Sequence, residues 1–189
     1  MGEPLRPRLF GHPISRRGFL VRSGGAAAAL ALAGCFGDGG EGYYRSLLPA
    51  DDAPLALPLR EYAVLQAAAR RIVPGGVEHP STGEVRVAAR VDRELGFHSE
   101  RLRRDVRDAL RLIEWSPLLT HFARFTQLRA DEQDAVLRAM QQSRLAIRRS
   151  AFAGIKLLVV FMYYTAEPAW PSIGYDGPWV PRGPDVTWV

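Results

Sequence analysis

The chain has 189 residues, 47% of them hydrophobic and 24% charged, which suffices for one packed domain and leaves little room for a second. Its formal net charge of +5 is concentrated near the start, because five of the 25 basic residues and only one of the 20 acidic residues precede Cys35. The chain beyond Cys35 is close to neutral, which excludes a basic nucleic-acid-binding domain. Since Cys35 is the single cysteine, the sequence also excludes an intrachain disulfide and any metal or haem site that needs several thiols.

Residues 1–35 end in a segment with the layout of an export signal. A basic pair, Arg16-Arg17, precedes a weakly apolar run rich in Gly and Ala, and the run closes at Cys35. The pair is followed by Phe19-Leu20, and these four residues resemble a twin-arginine signal. The ending Leu32-Ala33-Gly34-Cys35 resembles a bacterial lipobox, in which Cys35 becomes the lipidated first residue of the mature chain. The alternative is an ordinary Gly/Ala-rich helix with a chance arginine pair.

Such a signal predicts export by the twin-arginine route and a lipid anchor at the periplasmic or cell-surface face of a membrane. The apolar run itself is too short to span a hydrocarbon core, which takes about 20 strongly apolar residues. Twin-arginine export carries folded proteins, so one signal could serve a complex in which a larger, cofactor-loaded subunit travels with this chain. The alternative is a chain that folds too fast for the unfolded-chain route.

Residues 36–56 are rich in Gly, Pro and Asp, which predicts a flexible tether and places the start of the folded domain near Leu57. Beyond Leu57, apolar residues recur at helical spacing, and no segment has the period-two pattern of a strand. The predicted helices are 57–73, 85–96, 99–115, a short one after Pro117, one from about residue 130, and 144–165. The last carries the run IKLLVVFMYY, hydrophobic almost all round, and is expected as the central buried helix. The predicted fold class is all-α, an irregular bundle of five or six helices.

Residues 166–189 complete the domain (57–189) as an extended tail rich in Pro, Gly and aromatic residues. From Glu167 onward, five prolines and three glycines exclude a long helix. Large apolar faces are supplied by Trp170, Tyr175, Trp179 and Trp188. Such a tail either wraps its own helices or presents aromatic anchors to another protein, and the two interpretations are compatible.

No catalytic, cofactor or metal site is predicted in this chain. Glycine-rich nucleotide motifs and a serine-nucleophile motif are absent, and the four histidines lack metal-binding spacing. Glu114 and His121 are the candidate acid–base residues. Glu114 is expected as a solvated carboxylate near a helix end, and His121 as a structural histidine beside the apolar Phe122 and Phe125. The arginines of residues 101–107 alternate with acidic residues, which favours a solvated helix face over a nucleic-acid patch.

Two segments of the sequence resemble a known family. Residues 152–178, FAGIKLLVVFMYYTAEPAWPSIGYDGP, are similar to the C-terminal signature of the gluconate 2-dehydrogenase subunit 3 family: a buried helix ending in tyrosines, then a Trp and an IGYxGP turn. Residues 59–75, LREYAVLQAAARRIVPG, resemble the opening helix of that family. A twin-arginine signal is also common among its members, whereas a lipobox is not a general feature.

The resemblance implies the small subunit of a membrane-associated, flavin-dependent sugar or sugar-acid dehydrogenase. In such complexes the catalytic subunit is an FAD-containing oxidoreductase of the glucose-methanol-choline type, and a multihaem cytochrome c often takes the electrons. The small subunit has no accepted catalytic residues, so its implied role is to assemble, stabilise and export the flavoprotein. With the lipobox at Cys35, it would also anchor the complex.

The C-terminal signature supplies the residues predicted to form or order the partner interface. They are Tyr163, Tyr164, Trp170, Ile173, Gly174, Tyr175, Gly177, Pro178 and Trp179.

One alternative to the accessory-subunit function is a free-standing envelope lipoprotein with a binding or structural role, whose tail packs on its own core. The other is an enzyme in its own right, which would need Glu114 or His121.

Overall fold

Helices make up the fold of this chain. A computed structural model describes residues 40–178, and within that range it contains seven α-helices, two 3₁₀ helices and no strand. The elements are α1 (Glu41–Ser46), α2 (Leu59–Ile72), α3 (Val87–Gly96), α4 (Glu100–Trp115), α5 (Leu118–His121), a 3₁₀ helix (Phe125–Gln127), α6 (Ala130–Gln141), α7 (Ala146–Tyr164) and a second 3₁₀ helix (Glu167–Ile173). The all-α prediction is confirmed. The predicted export signal, Cys35 and Trp179 lie outside the described residues.

Helix α7 holds the bundle together, because it packs against α2, α3, α4 and α6. Its inner side carries Phe152, Ile155 and Val159, which are buried with Leu65 of α2 and Leu110 of α4. These α7 residues repeat every three or four positions, which keeps them on one side of the helix. The central position predicted for this helix is therefore correct. Its burial all round was wrong, since the opposite side is exposed.

Local signals set several helix ends. The side-chain oxygen of Ser99 caps α4 by accepting a hydrogen bond from the Leu102 N–H at 3.4 Å. Helix α3 begins at Val87, two residues later than predicted, because Arg86 adopts a left-handed conformation with φ of 54°. A turn of residues 81–86 therefore precedes this helix instead of extending it.

The short helix predicted after Pro117 is broken into two pieces. Helix α5 ends at His121, because Phe122 adopts a left-handed conformation with φ of 52°. Phe122 is exposed, whereas Phe125 lies in the first 3₁₀ helix with its side chain fully buried. The two phenylalanines therefore do not form the shared apolar face that the sequence predicted.

The segment predicted as a flexible tether belongs to the fold from residue 41 onward, which corrects the expected start near Leu57. Helix α1 packs against α2, and its Tyr44 is buried. Further along, the backbone of residues 55–57 lies against α3, where the Asp92 carboxylate accepts hydrogen bonds from its N–H groups. The Gly, Pro and Asp residues of this stretch mark its turns. They do not reveal the distant side chains that hold it in place.

Candidate partner-binding surface

Glu114 is a buried structural carboxylate, so its expected place in solvent was wrong. Its side chain is 0% exposed. One oxygen accepts hydrogen bonds at 2.8 Å from the Tyr44 and Thr126 hydroxyls, and the other accepts one at 3.1 Å from the Thr126 N–H. Burial raises the pKa of Glu114, against the opposing effect of these hydrogen bonds and of Arg124. The carboxyl thus joins α1 to the end of α4.

The side chains around Glu114 form a closed cluster. Arg124 donates a hydrogen bond to the Tyr44 hydroxyl at 3.0 Å and lies over the rings of Tyr43, Tyr44 and Trp115. Burial, and then the neighbouring Glu114 charge, raise the pKa of Tyr44 to about 12. The cluster keeps the phenol neutral as a hydrogen-bond donor, which suits a contact between two helices.

The other candidate acid–base residue, His121, lies at the surface. Its Nδ1 is 2.8 Å from the Thr120 hydroxyl at the end of α5. No hydrogen bond joins it to Glu114 in residues 40–178. The structure therefore does not bring the two candidates together.

The C-terminal signature folds into a short aromatic turn, residues 167–178. Its indole, Trp170, donates a hydrogen bond to the Tyr164 carbonyl at 3.1 Å, which ties the turn to the end of α7. The Trp170 and Tyr175 rings meet edge to face, with centroids 5.0 Å apart and planes at 77°. This stretch of the predicted extended tail is thus a 3₁₀ helix followed by a ring-stabilised bend.

Two glycines give the aromatic turn its shape. Gly174 ends the 3₁₀ helix with φ of 65°, and Gly177 has φ of 111°. Both values lie in the region that favours glycine. A Cβ at Gly177 would lie 3.5 Å from the Trp170 ring, an ordinary van der Waals distance, so the positive φ and not a lack of space favours glycine there. The spacing of the IGYxGP motif is therefore explained by backbone conformation.

The predicted interface residues include one buried tyrosine and several exposed side chains. Tyr163 is buried, and its hydroxyl donates to the Pro80 carbonyl at 2.8 Å. Three apolar or aromatic side chains are exposed: Tyr164, Ile173 and Tyr175. Pro178 is exposed as well. The exposed residues can touch a partner directly, whereas Tyr163 can only position its neighbours.

The outer side of α7 carries a row of exposed apolar residues that the sequence did not predict. Ile147, Leu157 and Phe161 are 68%, 69% and 59% exposed. With Gly154 and Tyr164, they share one face by helical spacing and form what we call the outer stripe. The stripe extends about 26 Å, from residue 147 to residue 164. Its signal was the all-round hydrophobicity of this helix, which exceeds what one core-facing side requires.

The polar cleft beside Asp52 is lined by charged side chains that pair with one another. The cleft beside Asp52 has a volume of about 360 Å³. The Asp52 carboxylate accepts hydrogen bonds from Tyr62, Gln66 and Arg86, at 3.1, 3.3 and 2.7 Å. These contacts indicate that the side chains of this cleft hold the segment before α2 in place.

In residues 40–178, no group of three or more His, Cys, Asp or Glu side chains is arranged to hold a metal ion. None of the helices found there has the length and hydrophobicity needed to cross a membrane.

A family model described as gluconate 2-dehydrogenase subunit 3 matches residues 60–177, well over half of the chain. The chain belongs to the gluconate 2-dehydrogenase subunit 3 family. The match extends from α2 to the aromatic turn, which confirms the resemblance. Membership in the gluconate 2-dehydrogenase subunit 3 family indicates an accessory subunit of a dehydrogenase complex, with a dehydrogenase catalytic subunit as partner. Searches of curated proteins and of solved structures each returned no match.

Proposed function

We propose that this chain is a non-catalytic accessory subunit that assembles, co-exports and anchors an FAD-dependent dehydrogenase of the glucose-methanol-choline type, acting on a sugar or alcohol. The FAD belongs to the catalytic subunit, and a cytochrome c subunit is a further partner that would accept electrons. The proposal rests on family membership together with one structural observation, the apolar surface formed by the outer stripe and the aromatic turn.

This surface supports a role in assembly. Large contiguous apolar patches are uncommon on monomeric proteins and mark interaction sites. The exposed Leu157 and Phe161 on α7, with Ile173 and Tyr175 on the aromatic turn, provide the aliphatic and aromatic groups that dominate binding energy at interfaces. The two surfaces adjoin where Trp170 bonds to the backbone of Tyr164. A catalytic subunit that covers both would therefore meet apolar side chains of the helix and of the turn together.

The export and anchoring parts of the proposal are supported by the sequence. The Arg16-Arg17 pair and Phe19-Leu20 supply a signal for a folded cargo, and Cys35 supplies the lipid attachment. Lipid chains bound to Cys35 hold a protein at a membrane through buried CH₂ groups, each worth about 0.8 kcal/mol. One address on the small subunit would then serve the whole complex.

The test is co-expression of the tagged chain with the flavin-containing catalytic subunit from the same genome. We expect membranes solubilised in detergent to yield both proteins with a flavin spectrum. Replacing Arg16 and Arg17 by Lys should leave both subunits in the cytoplasm, whereas the same change at Arg6 and Arg8 serves as the matched control. Cys35→Ala should release the assembled complex from the membrane.

The outcomes separate the alternatives. A single colourless band from the wild-type chain would overturn the accessory role and favour a free-standing lipoprotein. Export of the catalytic subunit in the absence of this chain would contradict co-export alone. Retention of the Cys35→Ala complex in membranes would contradict the anchoring role alone.

A further inference from the structure

Helices α4 and α7 leave an apolar groove between them that no described element fills. The groove has a volume of about 660 Å³. Val106 and Ile155 form its floor, and Leu102 and Leu112 of α4 face Ile147 and Leu157 of α7 across it. The floor is buried and the walls are partly or largely exposed. The groove therefore extends the core of the bundle to the surface.

The backbone around the groove determines what kind of chain can enter it. Both walls are α-helices, whose N–H and C=O groups bond within each helix. An extended strand or an irregular loop entering this groove would find no main-chain partners and would leave its own polar groups unpaired. A helix satisfies its backbone internally, so it can bury an apolar face there without that cost. The groove also follows α7 from residue 147 to residue 158, about 17 Å or three helical turns.

Gly154 is an independent sign of an external occupant. It lies inside α7, where glycine is unfavourable compared with alanine. Among the described residues, a Cβ at this position would meet no atom within 4 Å outside the backbone of its own helix, so no contact there requires the missing side chain. Gly154 borders the groove between Ile147 and Leu157. Its absent side chain allows the backbone of an incoming helix to approach closely.

The charges at the groove are of one sign. Asp105 and Asp108 border it, and no Arg or Lys does. Asp108 lies 3.3 Å from Arg111, whereas Asp105 makes no ion pair among the described residues. These carboxylates favour an occupant with a basic residue beside its apolar face. They disfavour a second copy docked through the same groove, because a symmetric contact would bring four carboxylates together at one apolar interface.

We infer that the groove between α4 and α7 receives an amphipathic helix of the catalytic subunit, seated over Gly154 with an Arg or Lys toward Asp105. This inference rests on the proposed function and specifies how the partner binds. The helix contributes the apolar face, and Leu102, Leu112, Ile147 and Leu157 enclose it.

Gly154→Ala tests the inference with one methyl group. We expect the unfolding temperature of the free chain to stay level or rise, because alanine favours the helix and meets no atom there. Affinity for the catalytic subunit should fall by about tenfold or more, because the methyl group overpacks the close contact. The matched control is Gly42→Ala in α1, where a Cβ also meets nothing, and it should leave affinity unchanged.

A second variant tests the charge. Asp105→Arg should weaken binding by about tenfold. It should also reduce the extent to which low salt raises the association rate constant. The control is the same reversal at Asp131, an exposed carboxylate at the start of α6. Photoreactive benzoylphenylalanine in place of Leu157 identifies the occupant, with the exposed Leu119 as the control position. We expect a cross-link to a helical, partly basic segment of the catalytic subunit.

The results distinguish this inference from the proposed function. If the wild-type chain binds the catalytic subunit and Gly154→Ala binds equally well, the groove assignment fails while the accessory role stands. A cross-link to a second copy of this chain, to lipid, or to a non-helical segment of the partner would also overturn the assignment. If the wild-type chain does not bind the catalytic subunit, the proposed function itself fails.

Discussion

Asp92 fixes the segment that joins α1 to α2, and its isosteric replacement by Asn tests that role. The carboxylate lies on α3 and is 2% exposed. One oxygen accepts hydrogen bonds from the N–H groups of Ala56 at 3.1 Å and Leu57 at 2.7 Å, and the other accepts from Leu55 at 2.6 Å. Three N–H donors thus point at one carboxylate, which has acceptor oxygens and no donor of its own.

Asp92→Asn keeps the shape of the side chain but supplies one acceptor oxygen instead of two. If that oxygen stays with Ala56 and Leu57, the amide NH₂ faces the Leu55 N–H and one donor loses its partner. An unsatisfied buried donor costs about 1–3 kcal/mol, and the remaining bonds lose their charge assistance. We therefore expect a loss of about 2–3 kcal/mol, which for a domain of this size lowers the unfolding temperature by about 6–12 °C.

Thermal and urea denaturation of the purified variant measure this loss. Limited proteolysis is the second readout, because residues 47–57 should become easier to cleave when their anchor weakens. Asp105→Asn, at an exposed carboxylate, serves as the control and should change the midpoint little. An unfolding midpoint for Asp92→Asn that matches the wild type would refute the reasoning that this carboxylate orders the segment.

Three other predictions concern a buried acid, a buried phenol and an exposed apolar residue. The raised pKa of Glu114 means that its contribution to stability is full below the unfolded value of 4.5 and is lost as pH rises through the folded value. The wild type should therefore lose stability relative to Glu114→Gln as pH rises, and parallel urea midpoints across pH would contradict this. Tyr163→Phe should cost about 1 kcal/mol in urea denaturation by removing the bond to the Pro80 carbonyl. Ile173→Asp should weaken the complex with the catalytic subunit while the unfolding midpoint of the free chain stays the same, which calorimetry and a binding titration can separate.

The helices were predictable because their signals are local. Apolar spacing of three and four residues and the Ser99 cap depend on neighbours within two turns. The IGYxGP motif was likewise visible as a turn, since Gly174 and Gly177 both adopt positive φ. These signals did not predict the start of α3 at Val87. That start depends on the left-handed conformation of Arg86, and an arginine in the sequence does not signal this conformation.

The burial of Glu114 and the order of residues 41–56 could not be predicted, because each depends on the other from far along the chain. Tyr44 and Glu114 are 70 positions apart, and their contact is a single hydrogen bond between side chains. The Gly, Pro and Asp residues of segment 41–56 predict a loop, and the position of Glu114 beside Trp115 predicts a solvated carboxylate at a helix end. Only the folded chain shows that the Tyr44 phenol contacts the Glu114 carboxylate.

The two apolar faces of α7 explain why the hydrophobicity of this helix misled the sequence prediction and how function follows from it. Val159 lies on the inner face and is fully buried, whereas Phe161, two residues later, is mostly exposed. Because the helix turns about 100° per residue, such neighbours belong to different surfaces. Truncating Val159 should lower the stability of the free chain, and through it the amount of complex. Truncating Phe161 should lower complex formation alone. The phase of a residue on α7 therefore decides whether it serves the core or the partner.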